Sequence, residues 1–201
     1  MTATAGRTTR PPPRISKIAE DPYPRFQPKS RAAWRAWLKK NHVKAPGVLL
    51  VYAKKHTGLS SLDWDEAVEE ALCFGWIDSK RMPLDADFFL QIFTPRKPKS
   101  RWSGLNKKRV VALIEAGLMA PAGHAAIALA KKTGAWAALE HVDAMVMPPD
   151  LKKALATTPG AAAKFKALTP GRQKQFLYFM NDAKKAETRL KRIAYLLKQL
   201  S

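Results

Sequence analysis

From Phe93 to Arg109 the chain reads Phe-Thr-Pro-Arg-Lys-Pro-Lys-Ser-Arg-Trp-Ser-Gly-Leu-Asn-Lys-Lys-Arg, and here residue type and spacing come nearest to a binding chemistry. Two prolines extend the segment, cations alternate with hydroxyls, and Ser103 stands where it can cap a helix that Leu105 begins. A cationic loop that feeds a helix N-terminus suits an anion, because the free amides and the helix dipole both favour negative charge. Two residues read in two ways. Trp102 either anchors the loop to the core or stacks on a base or planar ligand. Arg96 either pairs with Asp78 across a sheet or faces an open pocket with Ser103 and Arg109 and contacts an anion.

The charge of the whole chain extends this reading. Thirty-six Lys and Arg face 16 Asp and Glu, a net charge of +20. Most of the excess lies in residues 1–30, 95–109 and 164–201, and the second of these holds seven bases and no acid. Concentrated positive charge attracts polyanions, since each neutralised phosphate releases a condensed counterion. The residues expected to contact nucleic acid are Arg96, Lys97, Lys99, Arg101, Lys107 and Lys108, then Lys184, Lys185, Arg189 and Arg192. The alternative is that these charges form a solvated surface.

Catalytic signatures are missing from the sequence. His42, His56, His124 and His141 are scattered, with no acid at the spacing of a helical metal site. No phosphate-cradling glycine loop is present, and Ser60-Ser61, Ser79, Ser100 and Ser103 lack the small-residue elbow of a hydrolase serine. Asp85 and Asp87 flank a turn, where Asp is an ordinary residue. Cys73 is the only cysteine, which excludes an internal disulfide and a cysteine zinc site and reads as a small core residue beside Leu72 and Phe74. The sequence therefore predicts no catalytic residue, no metal and no cofactor, and leans away from an enzyme.

Among the elements that must position these groups, residues 1–29 are proline-rich and read as a flexible arm, laid against the protein by Ile15, Tyr23 and Phe26. Residues 30–201 read as a single domain. Ser30 predicts a helix near 31–42, and Val48–Ala53 a buried strand. Asp63 and Glu66 have capping-box spacing for a helix from Trp64 to about Phe74, burying Trp64, Val68, Ala71 and Leu72 and stopped by Gly75. Strands at 76–82 and 87–94 follow, joined at Pro83–Ala86. From residue 103 onward the periodicity is helical. Leu105, Val110, Leu113 and Ile114 mark the first of these helices, and Leu190, Ile193, Ala194, Leu197 and Leu200 form one stripe on the last. The expected fold class is α+β: a small antiparallel sheet of about three strands packed with helices, then a helical C-terminal part. No secretory signal or membrane-spanning run is present, so a cytoplasmic location is expected.

Two blocks of residues resemble the YdeI/OmpD-associated family, also labelled bacteriocin-protection proteins, over about residues 30–200. The first is Cys73-Phe74-Gly75-Trp76-Ile77-Asp78-Ser79 with Phe93–Arg96, Ser100–Ser103, Asn106, Arg109-Val110 and Gly117–Met119. The second is Pro148–Leu151, Ala154-Leu155, Phe165, Leu168, Arg172, Ala183–Arg189 and Arg192-Ile193. The resemblance implies a mixed α+β domain with a helical end and brings no established reaction or cofactor. The candidate ligand set is its polar positions with the tryptophan among them: Asp78, Arg96, Ser100, Trp102, Ser103, Asn106 and Arg109. The expected function is a non-enzymatic, basic stress-protection protein that binds nucleic acid or another polyanion. The alternative is a small-molecule protein or enzyme with a pocket for an anionic metabolite near residues 78–109. A third reading, a proline-rich arm engaging a partner, ranks last.

Overall fold

A computed structural model describes residues 21–59 and 62–200. The stretch 1–20, with its proline run and Ile15, and Ser60-Ser61 lie outside the described residues. Hydrophobic spacing alone reads as one domain from residue 30, whereas the described residues divide into two compact units, 21–71 with 77–95 and 72–76 with 96–200.

The N-terminal unit is built on a mixed sheet. Its strands β1 (Arg25–Phe26), β2 (Val48–Ala53), β3 (Trp76–Pro83) and β4 (Phe88–Pro95) lie in the order β1-β2-β4-β3. The three expected strands are present. The fourth comes from the stretch read as a flexible arm, where Arg25 and Phe26 pair in parallel with Leu49 and Leu50. Aromatic packing overrides the proline composition there. Phe26 packs on Trp34 and Trp37 at 6.3 and 5.9 Å between ring centroids. The Tyr23 ring lies so close to Gly47 that a Cβ on that glycine would fall 2.8 Å from it.

Helix α1 (Arg31–Asn41) starts at Ser30, whose hydroxyl accepts the Ala33 amide at 3.2 Å. It buries Trp34 and Leu38 completely, and Trp34 donates from Nε1 to the Ala67 carbonyl at 3.0 Å and meets Phe93 edge-on. Val48–Tyr52 are buried on both faces of β2, as their β-branched and apolar character requires. Helix α2 (Trp64–Cys73) begins differently from the expected capping box: Asp63 accepts the Asp65 amide at 2.7 Å, an Asx-type turn one residue tighter. Trp64 is 36% exposed rather than buried. Gly75 adopts φ of +73°, the left-handed conformation in which a side chain is strained.

The C-terminal unit is helical: α3 (Gly104–Glu115), α4 (Pro121–Lys132), α5 (Glu140–Asp143), α6 (Pro149–Thr157), α7 (Ala161–Ala167), α8 (Pro170–Asn181) and α9 (Ala186–Leu200). Leu139, Val142, Leu151, Leu155, Phe165, Phe176, Leu177, Met180, Ile193, Leu196 and Leu200 form one core. The buried stripe of α9 is Ile193, Leu196 and Leu200, while Leu190 is 67% exposed. Arg189 explains the rotation, because it shares the i, i+4, i+7, i+11 face with those three residues and is held by Asp150 of α6. On α3, Val110 and Leu113 are buried as expected, and Leu105 and Ile114 are exposed. No helix among the described residues is long and apolar enough to cross a membrane.

One buried charge supports the N-terminal unit. Glu70 is 3% exposed and accepts Arg31 Nε at 2.7 Å and Arg35 Nη1 at 2.6 Å, while Arg31 also reaches Glu69 at 2.9 Å. Glu70→Gln leaves two half-buried guanidinium groups facing a neutral amide and is expected to cost about 2–3 kcal/mol by urea denaturation. Glu69→Gln, at the more exposed end of the same network, is expected to cost less than about 1 kcal/mol. Equal costs would show that burial of the carboxylate is not what matters.

Candidate functional site

The sequence-predicted residues divide between the two units. Asp78 belongs to β3 in the N-terminal unit, where it accepts Trp64 Nε1 at 3.3 Å and the buried Gln91 amide at 3.4 Å. The other candidates belong to the C-terminal unit. There the loop 96–103 is ordered by its own polar groups. The Arg96 amide donates to the Gly75 carbonyl at 2.9 Å, and Ser100 closes a tight turn with Lys97 through both its amide and its hydroxyl.

Trp102 is 1% exposed, so the structural reading holds for it and its ring is not offered to a base. The Arg96 guanidinium lies 3.6 Å above that ring and donates from Nη1 to the Arg101 carbonyl, with Nε and Nη2 buried from solvent. Trp136 packs against Trp102 at 5.1 Å between ring centroids, with Lys107 and Lys131 at 5.3 and 5.5 Å from the Trp136 centroid. The tilted Trp102–Trp136 pair is thus flanked by cations, as the negative face of an aromatic ring favours. Arg96 is therefore part of the packing of the loop rather than an exposed ligand.

The N-terminus of α3 is the expected anion site, and the protein fills it with its own carboxylate. Ser103 accepts the Asn106 amide at 3.3 Å, and Asn106 accepts Arg109 Nη1 at 3.1 Å. The Gly104 amide donates to Asp143, so close that a Cβ at Gly104 would lie 3.1 Å from that carboxylate. Lys174 Nζ reaches the same group at 2.5 Å and the Tyr178 hydroxyl donates to it at 3.1 Å. Burial alone would raise the Asp143 pKa, but the hydrogen bonds from Lys174 and Tyr178 outweigh it and hold the carboxyl below its ordinary value. Burial and the bond to Asp143 push the Tyr178 hydroxyl up to about 12. Sequence reasoning missed Asp143, although Glu115, Glu140 and Asp143 are the only acids between Val110 and Pro149.

The ten residues assigned to nucleic acid also separate by environment. Arg189 is bound bidentately to Asp150 at 2.6 and 2.7 Å and donates from Nη1 to the Met180 carbonyl at 3.1 Å. It is a clamp between α6 and α9, and its hydrogen bond holds the Asp150 carboxyl below the ordinary value. Arg192 lies over Phe179 and donates to that residue's carbonyl, and Lys107 pairs with Glu140 at 3.0 Å. Arg101 pairs with Asp182. Lys97, Lys99, Lys108, Lys184 and Lys185 remain exposed. The Arg101–Asp182 pair matters most for them, because it ties the loop holding Lys97 and Lys99 to the connection two residues before Lys184-Lys185. Among the described residues, no group of three or more His, Cys, Asp and Glu is arranged to hold a metal. Asp85 accepts the Asp87 and Phe88 amides within its turn, and Asp87 meets His56 at 3.3 Å.

Replacing Asp143 tests the filled terminus. Asp143→Ala is expected to lose about 2–3 kcal/mol, the worth of hydrogen bonds to a charged group, and to gain a sulfate-dependent rise in Tm larger than that of the wild type. Tyr178 then titrates nearer 10. Asp143 and Asp150 both sit below the unfolded value, so the unfolded chain takes up their protons first as pH falls. Their stabilisation is complete above about pH 5 and is lost as acidification passes the unfolded value towards the folded one. A pH-denaturation series in which Asp143→Ala and the wild type lose stability in parallel through the acid range contradicts this assignment.

Comparison with known families divides the chain at a different point, inside the C-terminal unit. Residues 26–126 match a domain of unknown function, DUF8412, and residues 144–201 match the family described as Bacteriocin-protection, YdeI or OmpD-Associated. No curated protein and no solved structure matches the chain. The first block of the resemblance, Cys73–Met119, falls in the former stretch. The second block, with Asp150 and Arg189, falls in the latter, which carries helices α6–α9. The chain therefore belongs to the DUF8412 family, whose model covers half of it, and its C-terminal residues 144–201 match the YdeI/OmpD-associated family that the two blocks resemble.

Proposed function

We propose that the protein is a non-enzymatic, polyanion-binding member of its family, with nucleic acid as the polyanion. Residues 96–201 carry 21 Lys and Arg against six Asp and Glu, a net charge of +15, whereas residues 1–95 carry 15 against ten. The observation that carries the reading is the Arg101–Asp182 pair, which joins two basic segments far apart in sequence. Lys97, Lys99, Lys184 and Lys185 are exposed around it. Because Trp102 is buried, affinity rests on phosphate contacts rather than base stacking, and little sequence preference follows. Binding of this kind in the cytoplasm is compatible with the protective role that the family description names.

Fluorescence anisotropy with labelled duplex DNA, single-stranded DNA and RNA at two salt concentrations tests the proposal. Binding is expected at micromolar protein and weakens steeply with salt. Changing Lys97, Lys99, Lys184 and Lys185 together to Gln lowers the salt slope by about four, roughly one for each phosphate no longer neutralised. Arg189→Ala, by contrast, costs about 2 kcal/mol of stability, as a broken clamp with a partly exposed partner should, with the slope unchanged at temperatures where the variant is folded. Absence of salt-sensitive binding, or an unchanged slope in the quadruple variant, refutes the reading.

A further inference from the structure

The N-terminal unit contains a cleft of about 800 Å³ lined by Tyr52 to Lys55, Leu62 to Trp64, Arg81 to Pro83 and Phe89. That size is within the range of small-molecule sites. Its floor is aromatic: Tyr52 and Phe89 face each other across β2 and β4 and stack at 5.1 Å with their planes 7° apart. The Arg81 guanidinium lies 4.1 Å from the centroid of Phe89. Trp64, on the first turn of α2, stands beside them with 36% of its surface open, held through Nε1 by Asp78. A large aromatic residue left this exposed at a cleft edge, where the helical pattern predicts burial, is a recognition feature rather than a core one.

Charge and hydrogen bonding narrow the occupant. The lining carries Lys54, Lys55 and Arg81 against Asp63. Asp63 is already engaged by the Asp65 amide, and Lys54 by the Asp85 carbonyl. Tyr52 is 3% exposed, and among the described residues its hydroxyl has no hydrogen-bond partner. An unsatisfied buried hydroxyl is costly, so its persistence at a cleft wall calls for an acceptor from outside the protein. Burial raises the Tyr52 pKa, with Asp78 and Asp63 adding to the rise, so the group is a neutral donor. An acceptor with one negative charge suits both this donor and the surplus of cations. A dianion such as a phosphate monoester fits less well, because the largely apolar walls do not replace its hydration.

We infer that this cleft binds a small planar aromatic carboxylate, the ring lying between Trp64 and the Tyr52–Phe89 pair and the carboxylate meeting Arg81 and the Tyr52 hydroxyl. The site belongs to the unit that does not carry the basic surface, so it stands or falls separately from polyanion binding.

Calorimetric titration of the full chain with 2-naphthoate, and with its neutral analogue 2-naphthamide, tests the inference. One saturable site for naphthoate is expected, with the amide at least about tenfold weaker, the minimum that removing a charge-assisted hydrogen bond produces. Tyr52→Phe weakens naphthoate by about tenfold or more while leaving Tm unchanged or raised, since it removes a hydroxyl that has no partner to lose. Arg81→Gln weakens naphthoate and not the amide. The quadruple lysine variant binds naphthoate as the wild type does, which separates this cleft from the basic surface. Failure to saturate below about 5 mM, equal affinity for acid and amide, or wild-type affinity in Tyr52→Phe overturns the inference.

Discussion

Like-charge repulsion is the constraint under which the C-terminal unit is built. With 21 bases and six acids in residues 96–201, every carboxylate is a scarce counter-charge, and its position decides which elements can approach. Five of the six are ion-paired: Glu140 with Lys107, Asp143 with Lys174, Asp150 with Arg189, Asp182 with Arg101 and Glu187 with Lys191. Four of these pairs join residues more than 30 positions apart, so they act as tertiary ties rather than local helix support. Asp143 does the most, since one carboxylate meets the α3 terminus, a lysine and a half-buried tyrosine hydroxyl.

That arrangement bears directly on the surface left over. Cations recruited to packing, such as Arg96 on Trp102 and Arg189 on Asp150, lose their availability to a ligand because their donors are buried or already have fixed acceptors. Cations without such roles stay at the surface, where they are hydrated and able to exchange water for phosphate. The distinction is one of geometry, not residue type: Arg, with its planar fork, is taken into clamps and stacks, while most Lys remain outside.

The two units use opposite physics at their open features. In the N-terminal unit the sheet supplies aromatic walls and a buried donor, the features on which the proposed small-molecule site rests. The C-terminal unit presents exposed lysines, the feature on which the proposed polyanion binding rests. The join between the two matched families, between residues 126 and 144, falls where α4 and α5 connect the two stretches.

Much of the local architecture was legible in the sequence because it depends on short-range rules. Ser30 and Ser103 mark helix starts through hydrogen bonds within one turn, and Gly75 stops a helix by the left-handed backbone it allows. Val48–Ala53 is a strand on composition alone, and the surplus of positive charge is a matter of counting. Partnership was not legible. Whether Arg189 or Lys184 meets a carboxylate depends on Asp150 lying 39 residues away on another helix, and helical spacing sees only one helix at a time. The same limit turned the α9 stripe towards Leu196, left Trp64 at a cleft rather than in the core, and hid the strand at Arg25–Phe26, whose pairing needs Leu49 and Leu50. The sequence by itself determined where the elements begin and end and how much charge must be placed. Only the tertiary structure decided which charges are neutralised, because Coulomb and hydrogen-bond energies fall off over a few ångströms and are set by folded distance, not by separation along the chain.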